Sequence, residues 1–267
     1  MSEIVRLDLA QQLQDLVDPL HEGVATGGDP APLGIQWCVA MPPVALQALQ
    51  KDGHPQFSHT LLPALPGARR MWAGGELRWH QPIRIGDTVT RDSTVSSIEV
   101  KEGRSGRLCF VEVTHSYSSE RGVTLEERQD IVYKLGTAAT PVRDPTPVPP
   151  SARRVLTLTT STIGLFRYSA LTGNAHRIHY DRPYATDVER YPALVVHGPW
   201  QATVLMHAAA SLRAQPPFRF SYRSISPLYC GEDLSVHQEQ QNKTALLWIA
   251  CAEGPIGMKA EATWEQP

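Results

Sequence analysis

The pattern of hydrophobic and polar positions predicts strands over much of the first half of the chain. Four segments there alternate apolar with polar residues and are rich in Val, Ile, Thr and aromatic side chains, which is typical of half-buried β-strands. The segment Gly103-Arg104-Ser105-Gly106 predicts the turn between two long strands. The predicted strands are Glu76–His80, Thr88–Val100, Arg107–Tyr117 and Val123–Tyr133.

The second half of the chain contains one segment with the apolar spacing of a helix, in addition to segments that alternate like strands. Apolar residues at helical spacing, among them Val204, Leu205, Ala208 and Leu212, predict a helix over Pro199–Leu212. Because a sheet with one apolar face needs a helix or another sheet to cover it, the pattern favours an α+β fold. The strands predicted in this half are Val155–Thr159, Phe218–Ile225, Asp233–Gln240, Thr244–Ala252 and Ile256–Trp264.

A proline-rich segment divides the chain. Five of the ten residues of Pro141–Pro150 are proline, and proline lacks the amide donor that the interior of a sheet requires. We therefore predict an N-terminal half at 1–140, a linker at 141–152 and a C-terminal half at 153–267. Both halves contain the pattern Pro-x-x-x-Gly-acid, at Pro82–Asp87 and Pro227–Glu232, which indicates that they are built alike.

Composition and charge exclude several classes of partner. The 267 residues include 25 Lys plus Arg and 27 Asp plus Glu, a net charge of −2, so nucleic acid and anionic membrane surfaces are not expected partners. No stretch approaches the roughly 20 apolar residues of a membrane span, and the N-terminus lacks the apolar core of a secretory signal. The four cysteines are widely spaced without a CxxC pair, which predicts buried free thiols and a cytoplasmic location.

The residues that could take part in catalysis follow the predicted linker. Residues 166–185 read FRYSALTGNAHRIHYDRPYA, and His197-Gly198-Pro199 opens the predicted helix. Histidine suits the activation of water near neutral pH, and a glycine amide at a helix N-terminus can stabilise negative charge on an oxygen. Loop histidines are often surface or capping residues. His176, His179 and Asp181 can also be read as metal ligands, although no second cluster completes a zinc site.

These motifs resemble the MaoC-like family of R-specific enoyl-CoA hydratases and hydroxyacyl-thioester dehydratases. The family pattern is Ser/Thr-Gly-Asp-x-Asn-Pro-aliphatic-His, followed by Asp and Ala. The family's catalytic Asp falls on Asn174 and its Asn on His176, and the segment Arg69–Gly75 resembles the subgroup of mitochondrial-type dehydratases and of mesaconyl- and itaconyl-CoA hydratases. The matching positions are Thr172, Gly173, Ile178, His179, Asp181, Ala185, His197 and Gly198.

The resemblance implies a double hotdog fold, in which two curved antiparallel sheets each wrap a central helix. His179 is then the acid–base residue, Asn174 positions the water, and the Gly198 amide forms the oxyanion hole. The N-terminal half is expected to have lost its chemistry and to form only a wall of the acyl slot. Supporting or substrate-binding roles are implied for His176, His197, Tyr180, Asp181, Arg167, Arg177, Arg69 and Arg70, and a core or pocket-wall role is expected for Trp37, Trp72 and Trp79.

The implied reaction is the reversible hydration of an enoyl-CoA, or dehydration of a 3-hydroxyacyl thioester. It is expected to need no metal and no cofactor beyond the coenzyme A of the acyl-CoA substrate. A short dicarboxylic acyl group such as itaconyl or mesaconyl is preferred. The alternatives are a 3-hydroxyacyl-acyl-carrier-protein dehydratase, a thioesterase on the same fold and a non-catalytic acyl-thioester-binding subunit. The oligomeric state is left open, although fused hotdog halves often pair further into homo-oligomers.

Overall fold

Ten antiparallel strands form one continuous sheet within the described residues, which are 1–17, 25–56, 60–65, 67–103, 106–134, 143–252 and 254–265 of the computed structural model. The spatial order is β1-β3-β4-β5-β2-β7-β10-β9-β8-β6, so each half contributes a block of five strands. The strands are β1 (Ser2–Ile4), β2 (Arg69–Trp79), β3 (Thr88–Gly103), β4 (Gly106–Ser119), β5 (Gly122–Lys134), β6 (Arg153–Thr159), β7 (Arg219–Ser224), β8 (Asp233–Gln241), β9 (Thr244–Cys251) and β10 (Ile256–Thr263).

Three α-helices of the described chain lie against this sheet or against one another. They are α1 (Leu7–Val17), α2 (Thr162–Leu171) and α3 (Gly198–Arg213). The longest, α3, packs on β7, β9 and β10, and α1 packs on α2 and α3. Helix α1 was not predicted from the sequence, although Leu9, Leu13 and Val17 recur at helical spacing and are all buried. Short 3₁₀ turns lie at Ile35–Trp37, Leu46–Ala48 and Arg177–His179, and a π turn at Tyr184–Val188.

The two halves meet edge to edge and share one hydrophobic core. Strand β2 pairs with β7 from Gly74↔Arg223 to Arg78↔Arg219. Fully buried residues from both halves belong to the same cluster, among them Leu77, Leu125, Leu205, Phe220 and Leu247. The architecture agrees with the predicted α+β fold, and its two strand blocks are joined into one sheet.

The proposed boundary within residues 141–152 stays a prediction. Residues 143–149 form neither helix nor strand, as their prolines lead one to expect. Pro141 and Val142 lie outside the described residues, and so do Arg104 and Ser105 of the predicted turn.

Strand β2 begins earlier than its hydrophobic pattern predicts. The prediction started at Glu76, whereas the strand starts at Arg69 and runs through Gly74 and Gly75. Glycine has low strand propensity, but a Cβ at Gly75 would lie 2.3 Å from both the Arg128 carbonyl oxygen and the Tyr222 hydroxyl oxygen. Position 75 therefore requires glycine, because the neighbouring strands approach β2 too closely for a side chain.

The cysteines are free thiols, as predicted. The prediction that they are buried is correct for Cys38 and Cys109 but wrong for Cys230 and Cys251, which are partly exposed. Burial raises the pKa of Cys38 to about 12, so this thiol is protonated and unreactive at neutral pH. No helix in the described ranges has both the length and the apolar character needed to cross a membrane.

Candidate active site

The motif of residues 172–185 begins where α2 ends. Thr172 closes the last helical turn through a 2.7 Å hydrogen bond from Oγ1 to the carbonyl four residues earlier. Gly173 then takes up a left-handed conformation with φ 57°, which turns the chain out of the helix. The Asn174 side-chain oxygen accepts the backbone N–H of His176 at 3.1 Å. Part of the hydrogen-bonding capacity of Asn174 is thus used to shape this turn.

His179 is held as a buried, neutral imidazole. Its side chain is buried, and Nδ1 lies 2.7 Å from the carbonyl oxygen of Val195. Because a carbonyl oxygen can only accept, Nδ1 carries the proton and Nε2 keeps its lone pair. Burial lowers the pKa of His179 to about 4, so the ring is uncharged at neutral pH.

His197 forms the back of the site and packs on His179. The two rings stack with centroids 3.8 Å apart and planes inclined by 19°. His197 is fully buried, and its Nε2 lies 2.8 Å from the hydroxyl of Ser169 on α2. Burial, together with the neighbouring His179, lowers the pKa of His197 well below its usual value. This residue therefore supports the ring of His179 as an uncharged platform.

Gly198 places a helix N-terminus beside these rings. It is the first residue of α3, it is followed by Pro199, and no side chain caps the terminus. A helix start of this kind offers free amide groups and a partial positive charge. A Cβ on Gly198 would lie 2.7 Å from the Trp72 ring. Trp72 itself stacks on Tyr222 and meets Trp37 edge-on, with centroid distances of 4.5 and 5.6 Å, so these aromatic residues form a wall next to the amide.

A loop of the N-terminal half, which contains residues 51–54, is in close contact with the motif. Gly53 has φ 93°, and a Cβ there would lie 1.7 Å from the carbonyl oxygen of Ala175. The backbone N–H of Arg177 donates to the Asp52 carbonyl at 2.9 Å, and its guanidinium donates to the Lys51 carbonyl at 2.9 Å. These contacts join positions that are as much as 126 residues apart in sequence.

This loop brings an ionisable pair to the site. Nδ1 of His54 lies 2.9 Å from a carboxylate oxygen of Asp52, and the His54 ring lies 4.1 Å from the ring of His176, centroid to centroid. His176 in turn meets His179 edge-on at 5.6 Å. Asp52 and His54 were not among the residues expected at the site, because folding, and no local motif, brings them to His176. The expectation that the N-terminal half forms only a wall stays a prediction.

Two of the four predicted arginines are engaged by carboxylates. Arg69 contacts Glu189 at 2.8 Å, and Arg177 contacts Asp181 at 2.7 Å. Asp181 also accepts a backbone N–H at the start of the π turn, so it stabilises the local fold. Tyr180 donates its hydroxyl proton to a backbone carbonyl of the motif at 2.9 Å. These residues hold the shape of the site.

The other two arginines differ from each other in burial. Arg167 is exposed on α2. Arg70 lies opposite Tyr133 in the register of β2 and β5, and burial lowers its pKa. In the part of the chain that the structure describes, no carboxylate is within ion-pair distance of the Arg70 guanidinium. Arg70 is thus a partly buried cation on the same strand as Trp72.

The sequence matches one family along most of its length. The family model described as hydroxyacyl-thioester dehydratase type 2 matches residues 34–230. The chain is 42% identical to mesaconyl-C(4)-CoA hydratase of Chloroflexus aurantiacus over 208 residues, which cover 78% of this chain and 74% of that protein. It is 25% identical to the mitochondrial hydroxyacyl-thioester dehydratase type 2 of Saccharomyces cerevisiae over 215 residues, or 76% of each chain.

The fold matches a solved structure that has little sequence in common with it. A Mycobacterium tuberculosis protein described as having a double hotdog fold superposes with a TM-score of 0.62 at 14% identity, over 98% of this chain and 93% of that one. At this identity the likeness concerns the fold alone, and it confirms the predicted architecture. Together with the sequence matches, it means that the chain belongs to the type 2 hydroxyacyl-thioester dehydratase family, a group of hydro-lyases on the MaoC-like double hotdog fold.

Proposed function

We propose that the protein catalyses the reversible hydration of an enoyl-CoA, with a short dicarboxylic acyl group as its substrate. The observation that carries the proposal is the neutral, buried His179, which stands beside His197 and the uncapped helix terminus at Gly198. A base for water and an amide for a developing oxyanion are the two groups that this reaction needs most.

The reaction follows from the positions of these groups. Nε2 of His179 takes a proton from water as the water oxygen forms a bond to the β-carbon of the conjugated double bond. The electron pair of that double bond moves onto the thioester oxygen, where the Gly198 amide and the α3 dipole stabilise the negative charge. The proton then goes to the α-carbon, which restores the thioester and frees His179. Dehydration is the same sequence in reverse.

Asn174 supports this chemistry in a limited way. An amide cannot accept a proton, and its side-chain oxygen already accepts the His176 N–H. Its NH₂ group can still donate a hydrogen bond to the water oxygen. We therefore assign water positioning to Asn174 and proton transfer to His179.

A dicarboxylic substrate is supported by one relative and one residue. The relative that is 42% identical is named for mesaconyl-C(4)-CoA, the thioester of a dicarboxylic acid. A second carboxylate in an apolar slot requires a cation, preferably a guanidinium that binds it in a fork. Of the four arginines predicted for this role, Arg70 is partly buried and has no described carboxylate within ion-pair distance, although the charge of Asp52 acts on it from farther away.

The main alternative within the hydro-lyases is a dehydratase that acts on 3-hydroxyacyl groups bound to acyl carrier protein. It differs from the proposed enzyme in the acyl carrier. A 3-hydroxyacyl group on acyl carrier protein would undergo the same chemistry, and the yeast relative is named for hydroxyacyl thioesters without a stated carrier. Matched crotonyl groups on CoA and on acyl carrier protein separate the two. A kcat/KM at least about tenfold higher on CoA supports the proposal, and the reverse preference contradicts it. In this proposal coenzyme A is part of the substrate, and the free thiols are consistent with a cytoplasmic location.

One assay separates hydration from the other classes. Purified protein is incubated with mesaconyl-CoA, itaconyl-CoA and crotonyl-CoA while enoyl absorbance and free thiol are followed separately. Hydration lowers the absorbance without releasing thiol. Release of free thiol at the same rate as the loss of absorbance would identify a thioesterase. If neither signal changed with any substrate, a non-catalytic binding subunit would be the remaining interpretation.

A further inference from the structure

The reaction proposed above lacks a carboxylate at the position where the family pattern has one. Asn174 stands there and cannot exchange a proton. Asp181, the next acid in the motif, is bound to Arg177 and to the start of the π turn. A carboxylate that helps to stabilise positive charge on His179 must therefore come from another part of the fold.

Asp52 is such a carboxylate. Its Oδ2 lies 2.9 Å from Nδ1 of His54, and its Oδ1 accepts the backbone N–H of His54 at 2.9 Å. The His54 side chain is 12% exposed. Beyond it, His176 and His179 follow at 4.1 and 5.6 Å between successive ring centroids. The result is a row that runs from a carboxylate through two imidazoles to the proposed base.

The position of this row is fixed by the backbone. Gly53 touches the carbonyl of Ala175 so closely that no side chain fits. Arg177 donates to the successive carbonyls of Lys51 and Asp52, at 2.9 Å each. Movement of the loop away from the motif would break these two hydrogen bonds as well as the Gly53 contact.

The charges around the row favour an ionised Asp52 and neutral imidazoles. Burial raises the pKa of Asp52, but the hydrogen bonds from His54 and the positive charge of Arg70 favour the carboxylate, and the pKa stays below its usual value. Burial lowers the pKa of His54, and that of His176 more strongly. The other ionisable groups that interact electrostatically with members of this row are Arg69, Arg70, Tyr133, Tyr184, Glu189 and His197.

The same three side chains can also be compared with a metal site. Atoms of Asp52, His54 and His176 that could bind a cation lie within 4.8 Å of one another. However, the charge of the Arg70 guanidinium acts on all three groups, and a neighbouring positive charge opposes cation binding. The Asp52 carboxylate is already directed at Nδ1 of His54. The arrangement therefore suits proton chemistry better than metal binding.

We propose that Asp52 is the functional carboxylate of this active site and acts through His54 and His176 on His179. Its negative charge stabilises the imidazolium that forms when His179 takes the proton from water. Asp52 and His54 are thus positioning residues supplied by the N-terminal half. This inference rests on the proposed hydration, because it assigns the residues that assist that step.

Isosteric variants test the inference. Asp52→Asn keeps the backbone carbonyl that binds Arg177 but removes the charge, and His54→Gln removes the imidazole. Each is expected to lower kcat for enoyl-CoA hydration at least about tenfold, with KM changed by less than about threefold, because the interaction arises only as charge develops. The double variant should be no slower than the slower single variant, since the pair acts as a unit. Asp92→Asn, an exposed carboxylate on β3, is the control.

The pH profile distinguishes this role from a purely structural one. Neutral His179 is the active form, so kcat/KM falls as the pH drops through its pKa of about 4. Loss of the negative charge lowers that pKa further, so the acid limb of Asp52→Asn should move to lower pH. A structural defect would lower the plateau and leave the limb in place. Circular dichroism at each pH verifies that both proteins remain folded.

Each outcome bears on one proposal only. An inactive wild-type protein would overturn the proposed hydration. An active wild-type protein overturns the role of Asp52 if Asp52→Asn and His54→Gln keep full kcat, if their effects multiply, or if the acid limb does not move. Stoichiometric metal in the purified protein, together with loss of activity on chelation, would overturn it as well, because Asp52, His54 and His176 would then be metal ligands.

Discussion

The contact between Gly53 and the catalytic motif can be tested with Gly53→Ala. An added Cβ would lie 1.7 Å from the carbonyl oxygen of Ala175, so the loop has to move away. The movement breaks the hydrogen bonds from Arg177 to the carbonyls of Asp52 and Lys51, both 2.9 Å long. One is a backbone bond and the other is solvent-exposed, so a net value of about 1 kcal/mol each is appropriate, or about 2 kcal/mol together.

Gly86→Ala is the matched control for backbone strain. Gly86 has φ 97°, close to the 93° of Gly53, but an added Cβ there has nothing within 4 Å. Both variants therefore bear the roughly 1–2 kcal/mol cost of an L-residue in left-handed backbone, and only Gly53→Ala bears the clash. We expect the free energy of unfolding, measured in urea, to fall about 2 kcal/mol further for Gly53→Ala, with an unchanged m-value.

The same variant should affect activity. Moving the loop withdraws Asp52 and His54 from His176, so kcat for hydration should fall at least about tenfold in Gly53→Ala and stay near the wild-type value in Gly86→Ala. Equal losses of stability in the two variants, or full activity in Gly53→Ala, would refute the docking of this loop on the motif.

Substitutions of three further residues, His179, Asn174 and Arg70, test the site. His179→Ala should lower kcat by at least about 10²-fold, the low end for losing a general base, with an unchanged circular dichroism spectrum; more than half of normal activity would remove His179 from the mechanism. Asn174→Ala should be strongly impaired in steady-state assays while Asn174→Asp stays active, and wild-type behaviour of Asn174→Ala would show that Asn174 does not position the water. Arg70→Ala should reduce kcat/KM for mesaconyl-CoA at least about tenfold more than for crotonyl-CoA, whereas Arg167→Ala leaves that ratio unchanged; an unchanged ratio in Arg70→Ala would favour a monocarboxylic substrate.

Local pattern accounts for much of the fold. The alternation in Thr88–Val100 and Arg107–Tyr117 corresponds to β3 and β4, and the apolar spacing of Pro199–Leu212 corresponds to α3. These elements are determined by which face of each segment is buried, and a sequence displays that information directly. The start of β2 was missed because Gly74 and Gly75 have no alternating side chains, and only the packing of β2 between its neighbours reveals why they are needed.

The site was predicted only where its residues lie close together in the sequence. His179 and Gly198 belong to short motifs whose chemistry can be recognised from residue types. Asp52 and His54 lie in a loop that has no periodic pattern of hydrophobic residues, and the role proposed for them depends on a contact with Ala175 and His176 across the fold. The left-handed turn at Gly53 is the one local signal, because an Asp-Gly step favours such turns, but it does not indicate what the turn touches.

Incorporation of labelled oxygen tests the central claim most directly. Wild-type protein and His179→Ala are incubated with mesaconyl-CoA in H₂¹⁸O, and the intact thioester is analysed by mass spectrometry. Hydration by wild-type protein predicts an acyl-CoA product heavier by one molecule of labelled water, with the label in a new hydroxyl group on the acyl chain and with the thioester uncleaved. His179→Ala should form this product at least about 10²-fold more slowly. A labelled free acid together with free coenzyme A, or an unlabelled substrate recovered from the wild-type reaction, would contradict the account.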